Sequence, residues 1–569
     1  MSNPFLQNSG VFQVVGPPGT GKTTWLISTV TTALQQGVLS DGKVTAVHED
    51  DITVVAFTRA AAVNAWQRLS AAGIDLPEQN IGTLHSLTLR AMIENAEAAG
   101  TERPRLVRDM KGINAWNERY PERLMSVDTG EEETVTKATE TDKALTVIDG
   151  LRARMIPVEE WPVESQELWA LYDGFKQDEG LVDFTDLIHT AIEEGIFPRG
   201  IGLLLADEAQ DFSPLEWKLL HQWTTVVDRT ALIGDDDQAI YGGLKGASPE
   251  HFVNLEVPDS HRIVLSQSYR VPALVHAFAE NVTSLIGTRL PKTYRPRDET
   301  GSLRFTPATW MRPMPMLKSL QALEGTVMIL AYSKFQLEPT LEMLRAATIP
   351  YHNPYRPAYG AWNPLGQDSA SGITARTRLR AFMKPEWTTQ DLLHWTHLLK
   401  STGVFPRGMR NRMKDDLDTL DPDVVPDVKA YFEADAYAAL MARDLAFFTA
   451  HLSKQANNSR MKLCLKLAQE GLLEHDPRIV VGTIHSVKGG EADTVILFPD
   501  YPEAATDMDE NLRVMYVGAT RALKTLVVAT AVDARGEQDA PPEKALSTQR
   551  LIRKARQTHA QRTAVPAAG

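Results

Sequence analysis

The feature of this sequence that most constrains its fold is a glycine-rich loop near its start. The apolar run Val11–Val15 comes directly before the loop, and an apolar segment with helical spacing begins at Trp25 after it. A strand, a G-x-x-x-x-G-K-[ST] loop and a helix in this order are typical of a phosphate-binding P-loop. The loop residues, which we expect to surround a phosphate, are Gly16, Pro17, Pro18, Gly19, Thr20, Gly21, Lys22, Thr23 and Thr24.

The residue types of this loop suit nucleotide chemistry. Its glycines let backbone N–H groups turn toward a phosphate, and the N-terminus of the following helix adds a partial positive charge. Lys22 can reach the β- and γ-phosphates, and the Thr23 hydroxyl can bind Mg²⁺. The loop therefore predicts a nucleoside triphosphate and Mg²⁺ as ligands. A chance glycine-rich turn, the alternative, would not come with both the strand and the helix.

Bulk properties narrow the class of protein. The 569 residues predict about three or four domains. The single cysteine, Cys464, allows no internal disulfide and suits a reducing cytosol. We expect neither a signal peptide nor a membrane span, because no basic-then-apolar segment opens the chain and no apolar run approaches ~20 residues. The net charge of −14 argues against indiscriminate polyanion binding but allows a local basic groove.

Further apolar runs predict the other strands of a parallel sheet. They are Ile52–Phe57, Ile201–Ala206, Thr230–Gly234 and Ile263–Leu265, and polar residues follow each of them. Ligands gather at the carboxyl ends of the strands in such doubly wound sheets. We therefore expect the functional residues at that edge.

An acidic pair, Asp207 and Glu208, follows one of these runs. An aspartate at this place in a P-loop fold holds Mg²⁺, so we assign Asp207 to the metal together with Thr23. Glu208 suits the role of general base for an attacking water.

The same pattern returns in the second half of the chain. Apolar runs such as Val327–Ala331 and Thr494–Phe498 predict a second α/β region. Helical stretches, among them Leu392–Leu399 and Ala434–Leu452, predict an insertion between its strands.

Two charged stretches have plain explanations. The acidic patch Glu131–Glu133 predicts a solvated loop. The basic residues between Arg550 and Arg556 predict a solvated, frayed helix, with a nucleic-acid tether as the alternative.

Taken in order, these motifs resemble those of the UvrD/Rep-type superfamily 1A helicases, from residue 11 to about residue 530. Chance could supply one such motif but not eight in register. Val182–Leu187 is also similar to the family's D-F-x-D-L element. The motif stretches, numbered I, Ia, Ib, II, III, IV, V and VI in the family, are Gly16–Thr24, Val54–Leu69, Gly82–Ser86, Asp207–Asp211, Gly234–Tyr241, Gln267–Arg270, Gly482–Glu491 and Tyr516–Ala522.

The resemblance implies an α/β fold with two RecA-like parallel-sheet cores, each carrying a helical insertion. The implied division is 1–89 and 173–269 for the first core, 90–172 for its insertion, 270–354 and 477–532 for the second core, 355–476 for a reduced second insertion, and 533–569 for a tail.

The resemblance also implies how ATP is held. Gln238 senses the γ-phosphate, and Arg270 and Arg521 reach it across the gap between the two sheets. Tyr269 stacks on adenine, and Glu491 contacts the ribose. A planar arginine fork suits phosphoryl transfer, which depends on positioning and charge neutralisation. The implied catalytic residues are Lys22, Glu208, Gln238, Arg270 and Arg521.

A second set of residues is implied to line a groove for a single strand, where stacking and phosphate contacts bind without sequence preference. For Phe57, packing in the core is an equal alternative, whereas Tyr241 favours the groove. The implied groove residues are Phe57, Thr58, His85, Tyr241, Thr483 and His485.

The sequence departs from the family pattern at two places. The family's adenine-reading glutamine lies about twenty residues before the P-loop lysine, whereas Gln7 is nearer to Lys22 than that. The family also has an aromatic residue shortly after the tyrosine of motif III, and the stretch Gly242–Ala247 has none. One base-stacking contact is therefore missing or relocated.

The implied activity is that of an ATP-driven 3′-to-5′ translocase and helicase. Its implied partners are single-stranded DNA and junctions of single and double strands, with no membrane, and with unspecified replication or repair proteins. A monomer or transient dimer in the cytoplasm of a bacterial or phage-infected cell is expected.

Other functions stay open from the residues alone. They are an RNA-directed or protein–DNA-remodelling translocase, a P-loop kinase or small-molecule ATPase, and a binding module with an inactive ATP site. The arginine of motif VI, Arg521, counts against the kinase, and the intact pair of Lys22 and Glu208 counts against the inactive module.

Overall fold

A computed structural model gives the fold of most of the chain. It describes residues 3–40, 42–126, 139–198, 200, 202–306, 308–316, 320, 322–355, 360, 362–366, 373–502 and 505–529. The acidic patch at 131–133 and the predicted tail at 533–569 lie outside these residues. Every helix in the described ranges is too short or too polar to cross a membrane.

Two parallel sheets form the framework. The first has six strands in the order β5-β4-β6-β7-β1-β8, and the second has five in the order β11-β10-β12-β13-β9. A small antiparallel hairpin joins β2 to β3. The strands are β1 Gly10–Val15, β2 Val38–Ser40, β3 Lys43–Thr45, β4 Ile52–Val55, β5 Ile81–Gly82, β6 Leu203–Ala206, β7 Arg229–Gly234, β8 Arg262–Val264, β9 Ser302–Thr306, β10 Val327–Ala331, β11 Ile479–Thr483, β12 Ala492–Leu497 and β13 Ala522–Ala529.

The predicted α/β fold with two parallel-sheet cores is confirmed. Strands such as β4, β6 and β10 are buried along their whole length, which explains why they are apolar throughout. Sequence reasoning missed β9 and the hairpin. Ser302–Thr306 is largely half-exposed and Lys43–Thr45 is fully exposed, so neither shows the apolar run by which buried strands are recognised.

Helices cover both sheets and fill the stretches between the strands. In the described residues they are α1 Pro4–Gln7, α2 Lys22–Gln36, α3 Arg59–Ala71, α4 Leu84–Ala99, α5 Met110–Arg119, α6 Glu140–Ala153, α7 Val163–Glu179, α8 Phe184–Glu194, α9 Pro214–Thr224, α10 Gly242–Lys245, α11 Glu250–Val253, α12 Ala273–Thr283, α13 Lys334–Ala346, α14 Ala375–Met383, α15 Thr389–Trp395, α16 Met409–Leu417, α17 Ala434–Met441, α18 Leu445–Ala450, α19 Ser459–Gln469 and α20 Met508–Ala519.

The predicted helical stretch Ala434–Leu452 is two helices, α17 and α18. Arg443 has a φ of +56°, which a continuing α-helix does not allow. Asp444 then caps α18 by accepting hydrogen bonds from the N–H groups of Ala446 and Phe447. An aspartate in the middle of an apolar helical pattern was the available signal for this break.

The hydrophobic cores show how the helical stretches are attached. Ile329 and Val481 of the second sheet pack in one cluster with Phe382, Trp395 and Phe448 of the helices between β10 and β11. Helices α5, α6 and α7 have a cluster of their own, which includes the fully buried Trp116, whereas α4 and α8 pack in one cluster with the first sheet. The middle three helices between β5 and β6 therefore have a core apart from the first sheet, whereas the later helices share one with the second sheet.

Candidate functional site

The glycine-rich loop joins β1 to α2 at the carboxyl edge of the first sheet. Gly19 and Gly21 have φ values of +73° and +86°, a region that side chains rarely adopt. A Cβ on Gly19 would also collide with Arg270. Glycine is therefore required at this position both for the backbone turn and for the approach of the segment after β8.

That segment holds the loop in place. The Ser268 hydroxyl donates to the Pro18 carbonyl at 2.7 Å, and the Tyr269 N–H donates to the Gly19 carbonyl at 2.8 Å. Within the loop, the Lys22 ammonium donates to the Gly16 carbonyl at 2.9 Å. The structure thus brings the predicted phosphate loop and the predicted adenine-stacking residue together. The Tyr269 ring is 74% exposed, so its face is accessible to a base.

The acidic pair follows β6, and its two carboxyl groups differ in pKa. Burial and the neighbouring Glu208 raise the pKa of Asp207 to about 6. Burial alone would raise the pKa of Glu208 as well, but Lys22, Lys488 and a 2.5 Å hydrogen bond from the Gln210 amide hold it at about 2. Glu208 is therefore an ionised carboxylate at neutral pH, the form that a general base requires.

The backbone of Glu208 is unusual. Its φ is +55°, an uncommon value for a residue with a side chain. Strained backbone of this kind is held by its surroundings and clusters at functional sites. Here the turn follows directly on the buried strand β6, and the Glu208 N–H donates to the Asp207 carboxylate at 2.9 Å.

The residues assigned to the metal fit Mg²⁺. Thr23 and Asp207 offer oxygen ligands, which Mg²⁺ prefers, and a buried carboxyl with a raised pKa gains from a nearby cation. Among the described residues no group of three or more histidine, cysteine, aspartate or glutamate side chains could hold a metal alone. This composition suits an ion that keeps waters and binds substrate phosphates.

Gln238 and Arg521 meet across the gap between the two sheets. The Arg521 guanidinium donates to the Gln238 Oε1 at 3.2 Å, and the Gln238 amide donates to Asp235 at 2.8 Å. Burial and the nearby Arg270 lower the pKa of Arg521 to about 9, so it stays charged at neutral pH. The two sheets thus contribute to one site.

Arg270 and Glu491 also meet there. The Arg270 Nε donates to the Glu491 carboxylate at 2.7 Å. Both side chains are partly exposed, so this ion pair can be exchanged for contacts to a ligand.

Sequence reasoning gave no role to Lys488, which the structure places at the centre of the site. Its ammonium pairs with Asp211, donates to the Gln238 carbonyl at 3.0 Å and lies 5.1 Å from the centre of the Tyr241 ring. Burial alone would lower the pKa of Lys488, but Asp211 and Glu208 raise it well above its usual value. The lysine within the stretch Gly482–Glu491 was the available signal.

Several of the predicted groove residues form an aromatic cluster. The Tyr241 ring lies 5.2 Å from Phe57 and 6.1 Å from His485, and its hydroxyl donates to the His485 carbonyl at 3.2 Å. Phe57 also lies 6.2 Å from Phe212 and packs against the core, while its role in the groove stays a prediction. Burial and Lys488 lower the pKa of His485 to about 4, so its ring is neutral at neutral pH.

The other predicted groove residues have local structural roles. The Thr58 hydroxyl caps α3 by accepting from the Ala61 N–H at 3.1 Å, and Thr483 caps the turn after β11 in the same way. His85 lies elsewhere, with its Nδ1 3.6 Å from the Glu216 carboxylate and its ring against Phe184.

Comparison with known proteins identifies two family models that match this chain. Residues 2–258 match the family model of the UvrD/REP helicase N-terminal domain, and residues 478–529 match that of the UvrD-like helicase C-terminal domain. The chain is 23% identical over 261 residues to the ATP-dependent DNA helicase PcrA of Leuconostoc citreum, which is 42% of this chain and 34% of that protein.

Two further relatives give a similar result. DNA helicase II of Escherichia coli is 28% identical over 158 residues, 25% of this chain and 22% of that protein. The ATP-dependent DNA helicase srs2 of Schizosaccharomyces pombe is 25% identical over 257 residues, 40% of this chain and 28% of that protein. The matched regions therefore span between 22% and 34% of the length of these relatives.

Proposed function

Because this chain belongs to the UvrD/Rep-type helicases, we propose that it hydrolyses ATP to move along single-stranded DNA in the 3′-to-5′ direction and to unwind duplex DNA. ATP with Mg²⁺ is the proposed cofactor. Single-stranded DNA and its junctions with duplex DNA are the proposed partners of a monomer or transient dimer in the cytoplasm.

One observation carries this proposal. Arg521, directly before β13 of the second sheet, hydrogen-bonds Gln238, which follows β7 in the first sheet. A site shared by two sheets changes when the sheets move relative to each other, so hydrolysis there can drive motion. An arginine supplied by a second sheet counts against a P-loop kinase or small-molecule ATPase.

In the proposed mechanism the first sheet supplies the hydrolytic groups. Lys22 would turn its ammonium from the Gly16 carbonyl to the phosphates, and Thr23 and Asp207 would hold Mg²⁺. The metal neutralises phosphate charge when bound. Glu208, ionised and fixed by Gln210, accepts a proton from the attacking water.

The second sheet supplies charge from the opposite side. Arg521 and Arg270 would reach the γ-phosphate, with Gln238 between the sheets. Glu491, now paired with Arg270, would contact the ribose, while the exposed Tyr269 ring would stack on adenine. Phosphoryl transfer is accelerated mainly by positioning and by such charge stabilisation.

The aromatic cluster is the proposed binding site for single-stranded DNA. Tyr241 follows Gln238 by one short turn and contacts His485 of the second sheet. Phe57 and Tyr241 would stack with bases, and Thr58, Thr483 and His85 would lie along the strand. His485, neutral at neutral pH, would contribute packing and hydrogen bonding but no charge.

Two variants test the hydrolytic assignments. We expect Lys22→Ala to abolish ATP turnover with an unchanged circular dichroism spectrum.

Glu208→Gln should keep ATP·Mg²⁺ binding and lose turnover by at least ~10²-fold, the usual contribution of a general base. Lys43→Ala, on the exposed hairpin, is the matched control. Near-normal turnover in Lys22→Ala would contradict the proposal, and loss of nucleotide binding in Glu208→Gln would reassign that residue to the metal.

A strand-displacement assay tests direction and substrate. Duplexes with a 3′ tail, a 5′ tail or no tail are offered with DNA or RNA as the tracking strand. The proposal expects unwinding of the 3′-tailed DNA substrate above the others. Preference for an RNA strand, or strand-stimulated hydrolysis with little unwinding, would favour the RNA-directed or remodelling alternative.

A further inference from the structure

Three consecutive aspartates follow β7 in the interior of the protein. Asp235, Asp236 and Asp237 have relative exposures of 0%, 0% and 1%. Three adjacent carboxylates cannot be buried at low cost without cations. The proposed mechanism uses only their neighbour Gln238, so it leaves this acidic cluster unexplained.

Two cations from a distant part of the chain meet the cluster. The Lys292 Nζ lies 3.1 Å from Asp235, 2.5 Å from Asp236 and 2.8 Å from Asp237, and its side chain is 1% exposed. Arg289 binds both carboxylate oxygens of Asp237, at 3.0 and 2.6 Å. Both cations lie in the segment after α12, which packs on the core of the second sheet.

The cluster is continuous with the catalytic residues. Lys292 pairs with the Oδ1 of Asp235, while the Oδ2 of Asp235 accepts the amide of Gln238 at 2.8 Å. An amide whose NH₂ group is held by a carboxylate presents its oxygen on the other side. That oxygen accepts from Arg521 at 3.2 Å. Lys292, Asp235, Gln238 and Arg521 therefore form one hydrogen-bonded series.

The charges show why Lys292 matters to this series. The three carboxylates raise the pKa of Lys292 far above its usual value despite burial, so it is always an ammonium. Without that ammonium, the Asp235 Oδ1 would keep only the 3.3 Å hydrogen bond from the Asp237 N–H, so the carboxylate would be held less firmly. The Gln238 amide would then no longer be held in one orientation toward Arg521.

We propose that Lys292 is a positioning residue for ATP hydrolysis, which fixes the Asp235 carboxylate and thereby orients the Gln238 amide toward Arg521. This inference rests on the proposed ATPase function. It adds a residue outside the eight motifs to the hydrolytic site.

The test variant must remove Lys292 without changing the net charge of the acidic cluster. Asp236→Asn combined with Lys292→Met removes one carboxylate and one cation, so the local balance stays as it is. Asp236 is bound by Lys292 and by the Leu290 N–H rather than by Gln238. We expect kcat for ATP to fall about 10²-fold, the scale of a misplaced reacting group, with KM within about 2-fold.

A double-mutant cycle separates positioning from a merely structural effect. In a Gln238→Ala background, the same pair of substitutions should lower kcat by at most about a further 2-fold. The effects of residues that act through one another are not additive. Lys292→Arg keeps the charge in a bulkier group, so kcat should fall less than in the charge-balanced variant. Lys524→Met, at an exposed ion pair with Asp493, is the control and should match the wild type.

Each outcome decides the inference. An unchanged kcat in the charge-balanced variant, or an equal loss with and without Gln238, would overturn the role of Lys292. If that variant fails the circular dichroism check, Lys292→Gln, which keeps a hydrogen-bond donor, is read by the same criteria. Absence of hydrolysis by the wild-type protein would instead overturn the proposed function itself.

Discussion

The chain contains the same pentapeptide pattern twice, once in each sheet. Gly82–Ser86 reads G-T-L-H-S after β5, and Gly482–Ser486 reads G-T-I-H-S at the end of β11. Both strands lie at the edge of their sheets. In both, the serine N–H donates to the threonine hydroxyl at 3.2 Å and the serine hydroxyl donates to the threonine carbonyl at 2.9 Å.

The two histidines of these turns lie in different surroundings. The His85 side chain is 32% exposed beside Glu216. His485 lies between the rings of Tyr241 and Tyr332, at centroid distances of 6.1 and 5.2 Å, and burial with the nearby Lys488 lowers its pKa to about 4. A helix of sixteen residues follows the first turn, whereas the second leads within a few residues to Lys488.

The comparison teaches that local sequence determines the turn and that tertiary contacts determine its chemistry. Both turns present the same capped backbone at the edge of a β-sheet. Both therefore suit the same kind of contact to a nucleic-acid strand. The second is connected to the proposed ATP site by Lys488, which donates to the Gln238 carbonyl.

The largest expected effect concerns Arg521, the residue that the second sheet is proposed to add to the hydrolytic site of the first. Arg521→Ala should lower ATP turnover by ~10³-fold or more if Arg521 acts as an arginine finger. DNA binding without nucleotide should change little, because Arg521 contacts Gln238 and the Val517 carbonyl of α20. Turnover is measured by phosphate release and binding by fluorescence anisotropy. Equal losses of both would mean that Arg521 is structural and that the two sheets do not share the site.

The next expected effect concerns folding stability at acidic pH, to which the two histidines should contribute differently. The pKa of His485 falls from 6.5 to about 4 on folding, so the unfolded chain takes up its proton first as the pH drops. The free energy of unfolding therefore does not suffer from His485 above pH 6.5. As the pH falls from 6.5 to about 4, protonation of the unfolded chain lowers this free energy by at most about 3 kcal/mol.

The matched pair His485→Gln and His85→Gln isolates this effect. Urea unfolding between pH 7 and 4 should show a shallower loss of stability for His485→Gln than for the wild type. We do not expect this shallower loss for His85→Gln, because the His85 side chain is 32% exposed and so loses less hydration on folding. The same profile in both variants would remove the distinction between the two turns.

The smallest expected effect tests what the two turns share. Thr83→Val and Thr483→Val each remove a hydroxyl that caps the turn and should each cost about 1 kcal/mol of stability. Urea unfolding at pH 7 gives both values. A difference of more than about 1 kcal/mol between them would show that the hydrogen bonds are equivalent in geometry but not in energy.

Much of the fold could be predicted because buried parallel strands are apolar runs and glycine-rich loops have fixed requirements. Val327–Ala331 was predicted to the residue, and Gly19 proved necessary for the approach of Arg270. The half-exposed strand Ser302–Thr306 carried no such signal. The predicted domain boundaries and the roles of the site residues stay predictions.

The parts of the site that could not be predicted are those made by contacts across the gap between the sheets. Neither the pairing of Lys488 with Asp211 nor that of Lys292 with three aspartates follows from local pattern, because the partners are far apart in sequence. The lowered pKa of His485 likewise depends on burial, which the pentapeptide shared with His85 does not reveal.

The central claim is that the strand groove and the ATP site are one coupled unit, joined by the turn from Gln238 to Tyr241. The most direct test is the rate of ATP hydrolysis as oligothymidylate is titrated into the wild-type protein and into Tyr241→Ala. We predict slow hydrolysis without DNA and a strong rise with it. In Tyr241→Ala the stimulated rate should fall and the half-saturating DNA concentration should rise about 5- to 150-fold, the equivalent of one lost stacking contact. A wild-type rate that does not respond to DNA, or a variant with full stimulation at unchanged affinity, would contradict the account.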